Sequence, residues 1–526
     1  MDYGNESVQI FWLKRNLRLQ DSEPFFESMR TFRKNGKVLP LYCHEPRLIQ
    51  QPDVSRQHQL FVHETLEELD AELQSIGGKL LQAVGETVDI LDQIHRVHPL
   101  TKIWTHQETT QHSQFERDKA VNAWCAVQGV ELIETGQNGI VRGFQQPESF
   151  ADYFALSRLA TLRDPTGKDL SERFAPLPFL SCEQKAIPAA AGTDKPLRQK
   201  GGRSQAVSNL NRFFQIQPLK KYPFQISSPN TAWEGCSRIS TYLAYGIVSD
   251  REAFQAVDRV VTEAHGRMNA DQFEKFQKNA RFFLDRLSWR RKYMQTFEGS
   301  PELEFQCMLP QFDGVREADY QRKNLGESFG ERSVENADAH FDAWKQGRTG
   351  FPYIDAAMRC LNQTGWINMR LRATLVSFAT LNLWIPTTKV AEYLATEFLD
   401  YEPGIHHVIH QLIAGTTTFS GLMVYDPVKQ GKDHDIGGCF IRKWVPELAG
   451  LSASDIHNLA ETRRQTAQSR ERFSYLMYPE AIVDHRQTAK RAKDRIRELR
   501  NNDQGRKGGS VEQEIGREEG SQPSLF

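Results

Sequence analysis

Hydroxyls, a thiol and one guanidinium are crowded into Glu234-Gly235-Cys236-Ser237-Arg238-Ile239-Ser240-Thr241-Tyr242-Leu243. With the free N–H groups of a helix start, these are the groups that hold a diphosphate. Ser and Thr also open helices as plain caps, so the stretch alone fits either role. A second concentration lies downstream. It comprises Gly347-Arg348-Thr349-Gly350-Phe351-Pro352 running on to Arg359, then Gly365-Trp366-Ile367-Asn368-Met369-Arg370-Leu371-Arg372, then Asp400-Tyr401-Glu402-Pro403-Gly404. His406, His407 and His410 follow at a spacing that fits one helical face. No carboxylate motif stands beside them, and no metal is expected there.

These groups must be positioned by a chain of 526 residues, enough for two or three ordinary domains. Apolar residues make up 39% and charged residues 25%, the balance of a soluble globular protein. No apolar run is long enough to cross a bilayer and no signal peptide opens the chain, so a cytoplasmic protein is expected. The 7 cysteines are scattered, odd in number and without a C-x-x-C pair, which argues against disulfides and local metal sites. Net charge is −1, so any pull on nucleic acid must be local. Two basic runs stand out: Arg286, Arg290, Arg291 and Lys292, then Lys490, Arg491, Lys493, Arg495, Arg497 and Arg500. The second interleaves Asp494 and Glu498 and reads equally as a solvated helix face.

Residues 1–135 alternate short apolar runs with amphipathic stretches. The runs are Val8 to Trp12, Val38 to Tyr42, Lys79 to Ala83, Lys102 to Trp104 and Glu131 to Ile133. That alternation predicts an α/β domain with a parallel sheet. Its clearest helix is 55–75, with Val62, Leu66, Leu69 and Leu73 on one face and Gly77-Gly78 as the stop. Residues 136–200 are broken by Pro165, Pro176, Pro178, Pro188 and Pro196 and read as a connector, partly helical near 148–162. Residues 201–497 are helix-rich, with a loop at Pro229 leading to an apolar helical stretch, Tyr242 to Val248, and long amphipathic stretches at 251–265, 271–297, 352–363, 366–384 and 388–399, and predict an all-α domain. Residues 498–526 read as a disordered tail. The tail ends in Gln522-Pro523-Ser524-Leu525-Phe526, which looks like the peptides that bacterial repair proteins dock into the sliding clamp through residues such as Gln522, Leu525 and Phe526.

In order, Ser-Arg-Ile-Ser, Trp289-Arg290, Arg-Thr-Gly-Phe-Pro, Gly-Trp, Arg-Leu-Arg and the late Asp400 resemble the FAD domain of the DNA photolyase and cryptochrome family. Phe11-Trp12-Leu13-Lys14-Arg15-Asn16-Leu17-Arg18 looks like the family's opening motif. The resemblance implies a Rossmann-like α/β domain that can hold a folate or deazaflavin antenna pigment, followed by an all-α FAD-binding domain. It implies that Cys236, Ser237, Arg238, Ile239 and Ser240, with Tyr222, line the FAD phosphates. Arg290 and Arg372 would lie along the isoalloxazine, where guanidinium groups stabilise a reduced flavin anion. Asp400, with Glu402 close by, would accept a hydrogen bond from the ring imide. The implied activity is light-driven repair of UV-damaged DNA by a deoxyribodipyrimidine photolyase, a carbon–carbon lyase expected to be a monomer. Arg286, Trp289 and Arg370 would meet DNA.

The chain departs from the family pattern where the chemistry is done. By the resemblance the residue facing flavin N5 would be His406, where repair enzymes usually carry Asn and photoreceptors often Asp or Cys. The innermost relay tryptophan is replaced by His410 and the middle one by Thr387, which leaves Trp366 and Trp384 as an alternative route for electrons. Arg286 stands where dimer-repair enzymes have Glu, Met369 where they have Asn, and Met423 where they have a phosphate-touching Arg. The alternative to repair is therefore a cryptochrome-like blue-light receptor.

Overall fold

The computed structural model describes residues 7–143, 170–178, 186–324, 336–417, 422–465 and 467–504. The helix expected near 148–162, and Gln522, Leu525 and Phe526, lie outside the described residues.

The apolar runs at the start of the chain form five parallel strands: β1 (Val8–Leu13), β2 (Lys37–His44), β3 (Leu81–Val84), β4 (Leu100–His106) and β5 (Glu131–Thr135). Their order is β3-β2-β1-β4-β5. Val8 stands opposite Lys37, Lys102 opposite Glu131, and every pairing is parallel. β1 is buried throughout, as expected for a strand covered on both faces. The core on the sheet joins Ile10, Trp12, Leu39, Leu41, Ile103 and Val121. Because β2 and β4 flank β1, the winding reverses there, and such a reversal leaves a crevice at the strands' carboxyl ends.

The helix expected over 55–75 is Arg56–Ser75. Its buried face is Phe61, Thr65, Leu66, Leu69 and Leu73; Val62, expected in that stripe, is only half-buried. Gly77 ends the turn at φ +86°, and the Gly78 N–H donates to Leu73 O at 2.9 Å. The apolar stretch Tyr242 to Val248 is a correction: the helix is only Ser240–Ala244, because Gly246 turns the chain at φ +62°. The loop expected at Pro229 is the short helix Pro229–Gly235, capped by Ser228. Helices Asp250–His265, Ala270–Gly299, Pro352–Thr364 and Thr387–Glu397 match the expected stretches. The stretch expected over 366–384 is Met369–Ser377 running into a π-helical turn, Phe378–Asn382. The last helix is His485–Gln504, which carries order past the boundary expected at residue 497.

The chain packs as two compact units. One comprises Met1–Pro223, Ser237–Glu304 and Ala395–His406; the other comprises Phe224–Cys236, Phe305–Leu394 and His407–Phe526. The first thus takes in helices beyond the boundary expected at residue 200. Its segments are tied by polar side chains of the Arg56–Ser75 helix: Gln57 donates to Thr396 O at 2.7 Å, and His58 Nε2 lies 3.0 Å from Phe398 O. Among the described residues no helix is long and apolar enough to cross a membrane.

His58 supplies a pH test. Its Nδ1 accepts the Ser55 N–H at 3.3 Å, so Nε2 carries the proton given to Phe398 O. Burial pulls its pKa from 6.5 to about 4, against the raising effect of Phe398 O. The unfolded chain binds the proton more readily. The contribution is therefore present above the unfolded value and lost as pH falls through about 4, a loss of about 3 kcal/mol. Urea midpoints measured from neutral pH downward should fall more steeply for the parent than for His58→Gln; parallel curves would exclude His58 as the cause.

Candidate functional site

In the first unit two arginines from distant parts of the sequence converge on one corner. Arg15, just past β1, donates through Nε to Ala244 O at 3.0 Å and through a terminal nitrogen to Tyr401 O. Arg290, on the Ala270–Gly299 helix, donates to Leu243 O at 3.1 Å and to Glu402 Oε2 at 3.0 Å. Burial pushes the Glu402 carboxyl above its ordinary range, against the pull of Arg290 and then Arg15. Arg18 completes the clamp on Gly246 O at 2.8 Å. A side chain at Gly246 would stand 2.4 Å from Arg15 O, so only glycine fits this approach. The paired arginines of the opening motif thus hold the turn that follows Ser-Arg-Ile-Ser.

That turn begins at Arg238, a non-glycine residue at φ +57°, where strain is kept only if the surroundings impose it. Gln199 imposes it. Its amide donates to Arg238 O at 2.8 Å, and its oxygen accepts from the Arg238 guanidinium at 3.1 and 3.3 Å and from Thr241 Oγ1 at 3.4 Å. Arg238 and Ile239 are buried, and Ser237 and Ser240 are half-buried. Sequence reasoning missed Gln199, Arg15 and Arg18 as organisers of this loop. Only the paired arginines carried a signal.

Arg290 keeps chemistry in reserve. Its buried Nε has no hydrogen-bond acceptor among the described residues, and the nearest carboxylate oxygen, on Asp250, is 3.6 Å away. Asp400 and Glu402 are both buried on the segment that Arg15 and Arg290 hold. His406 is buried edge-on to the Tyr401 ring, centroids 4.9 Å apart and planes at 90°. On the same long helix the Arg286 guanidinium lies over the Trp289 ring at 4.2 Å and over Phe282 at 4.5 Å. Tyr222 is edge-on to Phe282 and Phe283, which places it at the end of the same aromatic row. One face of Trp289 is therefore covered by a cation.

At the carboxyl end of the sheet lies a pocket of about 430 Å³, lined by Trp12, Lys14, Tyr42, His44, Gln111 and Tyr401 among others. Its floor is a buried charge network. Lys14 meets Asp118 at 2.8 Å, and Arg117 meets Asp118 at 2.8 Å, Glu108 at 2.9 Å and Glu45 at 3.2 Å. Burial raises the Asp118 carboxyl, but Arg117 and Lys14 outweigh it and hold the group below the ordinary range. Lys14 and Arg117 stand 4.8 and 5.0 Å from the Trp12 ring and fix its plane.

The second unit holds Cys236, Arg370, Arg372, Trp366, Trp384, His407 and His410. Arg372 is half-buried and donates through Nε to Ile367 O at 3.0 Å. The Arg370 guanidinium lies 5.9 Å over Tyr425. Burial, and then His410, push His407 down to about 3, so it is neutral at ordinary pH. Among the described residues no group of His, Cys, Asp or Glu is arranged to hold a metal. The Arg-Thr-Gly-Phe-Pro motif is a structural device: Asp355 accepts from Thr349 N at 2.8 Å, Thr349 Oγ1 at 2.7 Å and Gly350 N at 3.0 Å, and from the Tyr478 hydroxyl.

Trp366 meets Trp233 edge-on at 6.0 Å. Trp384 sits just past the π-helical turn at φ +59°, its indole N–H donating to Asp319 Oδ2 at 3.0 Å. Arg316 covers its ring at 4.4 Å. That guanidinium is buried against Thr380 O, Thr387 Oγ1 and Ala414 O, and burial lowers its pKa only to about 10. It therefore stays cationic and opposes a positive hole on Trp384 by about 4 kcal/mol at an effective dielectric near 20. Asp319 works the other way by accepting the indole N–H.

Two family models match this chain: one for the DNA photolyase domain over residues 9–145, the other for the FAD binding domain of DNA photolyase over residues 283–498. A "Cryptochrome DASH" of Gloeobacter violaceus is 25% identical over 507 residues, covering 91% of this chain and 94% of its own. A "Deoxyribodipyrimidine photo-lyase" of Synechococcus sp. is 24% identical over 463 residues, covering 85% and 89%. Among solved structures, the archaeal photolyase from Sulfolobus tokodaii, which holds two FAD molecules, is similar with a TM-score of 0.69 at 23% identity, covering 94% of this chain and 100% of its own.

The clamp on Glu402 makes a stability prediction. Glu402→Ala leaves the buried Arg290 without its hydrogen-bonded carboxylate and should cost about 3–5 kcal/mol in urea denaturation. A loss below about 0.5 kcal/mol, the range of ordinary surface changes, would remove the clamp from the account.

Proposed function

We propose that this chain, which belongs to the DNA photolyase and cryptochrome family, is a FAD-dependent enzyme that repairs UV-induced pyrimidine dimers in DNA under blue light. The observation that carries this reading is the FAD-binding match over 283–498, which takes in Trp289, Arg290, Arg370, Arg372, Asp400, Glu402, His406 and His410 in one run. The donor set fits a flavin: a buried guanidinium with a hydrogen-bonding atom unspent in Arg290, and the buried carboxylates of Asp400 and Glu402. When bound, reduced FAD supplies, on blue-light excitation, the electron that splits the dimer.

The residues of the chain hold and tune. Cys236, Ser237, Arg238, Ile239, Ser240 and Tyr222 would line the phosphates, with Gln199 presetting the strained Arg238 backbone. Arg290 and Arg372 would balance negative charge on the ring, and Asp400 would accept the imide N–H. His406 and His410 would hold a proton near the ring. Arg370 and Trp289 would meet the damaged strand. Trp366 and Trp384 would feed electrons inward, Trp384 giving its indole proton to Asp319. The pocket of about 430 Å³ at the sheet's carboxyl edge has the size and aromatic lining for a planar antenna pigment, folate or deazaflavin. The second FAD of the archaeal photolyase adds a flavin to that list.

One observation favours the second reading, a cryptochrome-like photoreceptor. The position where dimer repair uses a carboxyl hydrogen bond carries Arg286, whose guanidinium is stacked on Trp289. A guanidinium has donors only and cannot give up a proton at ordinary pH.

Irradiating the flavin-loaded protein with dimer-containing DNA separates the readings. Loss of dimers under blue light, and none in the dark, is expected. Flavin photoreduction without loss of dimers would replace repair by light sensing, and failure of the apoprotein to take up FAD would end both. Trp384→Phe should slow photoreduction; unchanged kinetics would take Trp384 out of the path.

A further inference from the structure

We propose that one face of the His485–Gln504 helix is a phosphate-tracking surface for duplex DNA, additional to the residues that would meet the lesion. On a helix, Arg486, Lys490, Lys493 and Arg497 fall within about 60° of arc and span about 16 Å along the axis. All four are exposed. The face that packs inward is a different one, formed by Ala492 and Ile496 on Phe312 and Leu381, with Leu499 beside them. Going round the helix from the stripe, Asp494 comes about 40° beyond its edge, then Glu498 and Arg491, with Arg495 on the opposite side.

A merely solvated helix would mix its charges so that opposite signs meet three and four residues apart. Within the stripe the neighbours at those spacings are of like sign, Arg486 with Lys490, Lys490 with Lys493 and Lys493 with Arg497, while opposite charge enters beside it through Asp494, four residues from Lys490 and three from Arg497. Each like pair costs a few tenths of a kcal/mol. Arg486 also lies in the first turn of the helix, where its dipole disfavours cations. Lys490 and Lys493 have no ion-pair partner among the described residues. Arg497 reaches Asp494 at 3.2 Å and Arg486 reaches Glu461, both from exposed positions where such pairs are worth little. These exposed pairs give the fold little to set against the repulsion along the stripe. A row of phosphates would offset it: a linear array of cations about 16 Å long matches two to three phosphates of one strand, and binding releases their counterions. The choice of DNA as the polyanion rests on the repair reading; the charge geometry does not.

The test uses the full chain and undamaged duplex DNA in the dark, so failure of light-driven repair does not bear on it. Lys490→Gln, Lys493→Gln and Arg497→Gln together should lower the slope of log affinity against log salt by about 2–3, near 0.9 for each phosphate left without its cation. The melting temperature should hold or rise as repulsion is relieved. Lys490→Arg with Lys493→Arg should keep the parent slope. Arg259→Gln, Arg267→Gln and Lys278→Gln, which remove the same charge from the other unit, should also keep it. An unchanged slope in the first variant overturns the proposal, as does an equal fall in the charge-matched control. So does a variant that keeps DNA binding but loses retention on anionic lipid vesicles.

Discussion

A carboxylate taken out of water must be met by charge, and Glu402 is bonded by Arg290 at 3.0 Å and lies in the field of Arg15, which holds the neighbouring carbonyl of Tyr401. Much else follows from that meeting. Arg290 can reach Glu402 only if the Ala270–Gly299 helix lies against the 395–406 segment, and Gly404 allows it: a Cβ there would stand 2.8 Å from Met294 Cα. Arg15 reaches the same corner from the end of β1, and both arginines use their other nitrogens on the carbonyls of Leu243 and Ala244. The strained loop at Arg238, the late acidic segment and the parallel sheet are therefore held in one polar frame. Backbone carbonyls that a short helix leaves open are satisfied by side chains from elsewhere.

The charged floor of the sheet-edge pocket follows the same logic. Lys14 and Arg117 are buried and costly alone, but each faces carboxylates in good geometry, and together they set the plane of Trp12. The result is a rigid aromatic wall beside half-buried polar groups, the kind of surface that orients a flat ligand. In the second unit, Arg316 shows the opposite choice. It is buried against carbonyls and a hydroxyl, keeps its charge, and stacks on the tryptophan nearest to it.

Much of this was legible in the sequence because local rules and the fold agree. Strand–helix alternation marked the five strands to within a few residues, and the ordered motifs marked the FAD-binding half. What was not legible depends on long-range geometry. The helix expected to run on from Tyr242 stops at Ala244, because Gly246 must pass Arg15 at close range. The roles of Gln199 and Arg18 are set by partners 39 and 228 residues away, and no periodicity records that. The Arg-Thr-Gly-Phe-Pro stretch signalled the family, yet its own work is to fold a loop around Asp355. The position of the missing relay tryptophan, Thr387, acquires meaning only when Arg316 is seen bonded to it beneath Trp384.

The arginine pair at the end of β1 also bears on how the protein can be divided. A fragment beginning near residue 200 would keep every residue of the FAD-binding match, yet it would lose Arg15 and Arg18. The carbonyls of Ala244 and Gly246 would then lose these donors, and the Glu402 carboxyl would lose the field of Arg15. The helical half is thus not a portable cassette. Its loop geometry is lent to it by the first eighteen residues of the chain, and any attempt to graft it onto another protein must carry that loan along.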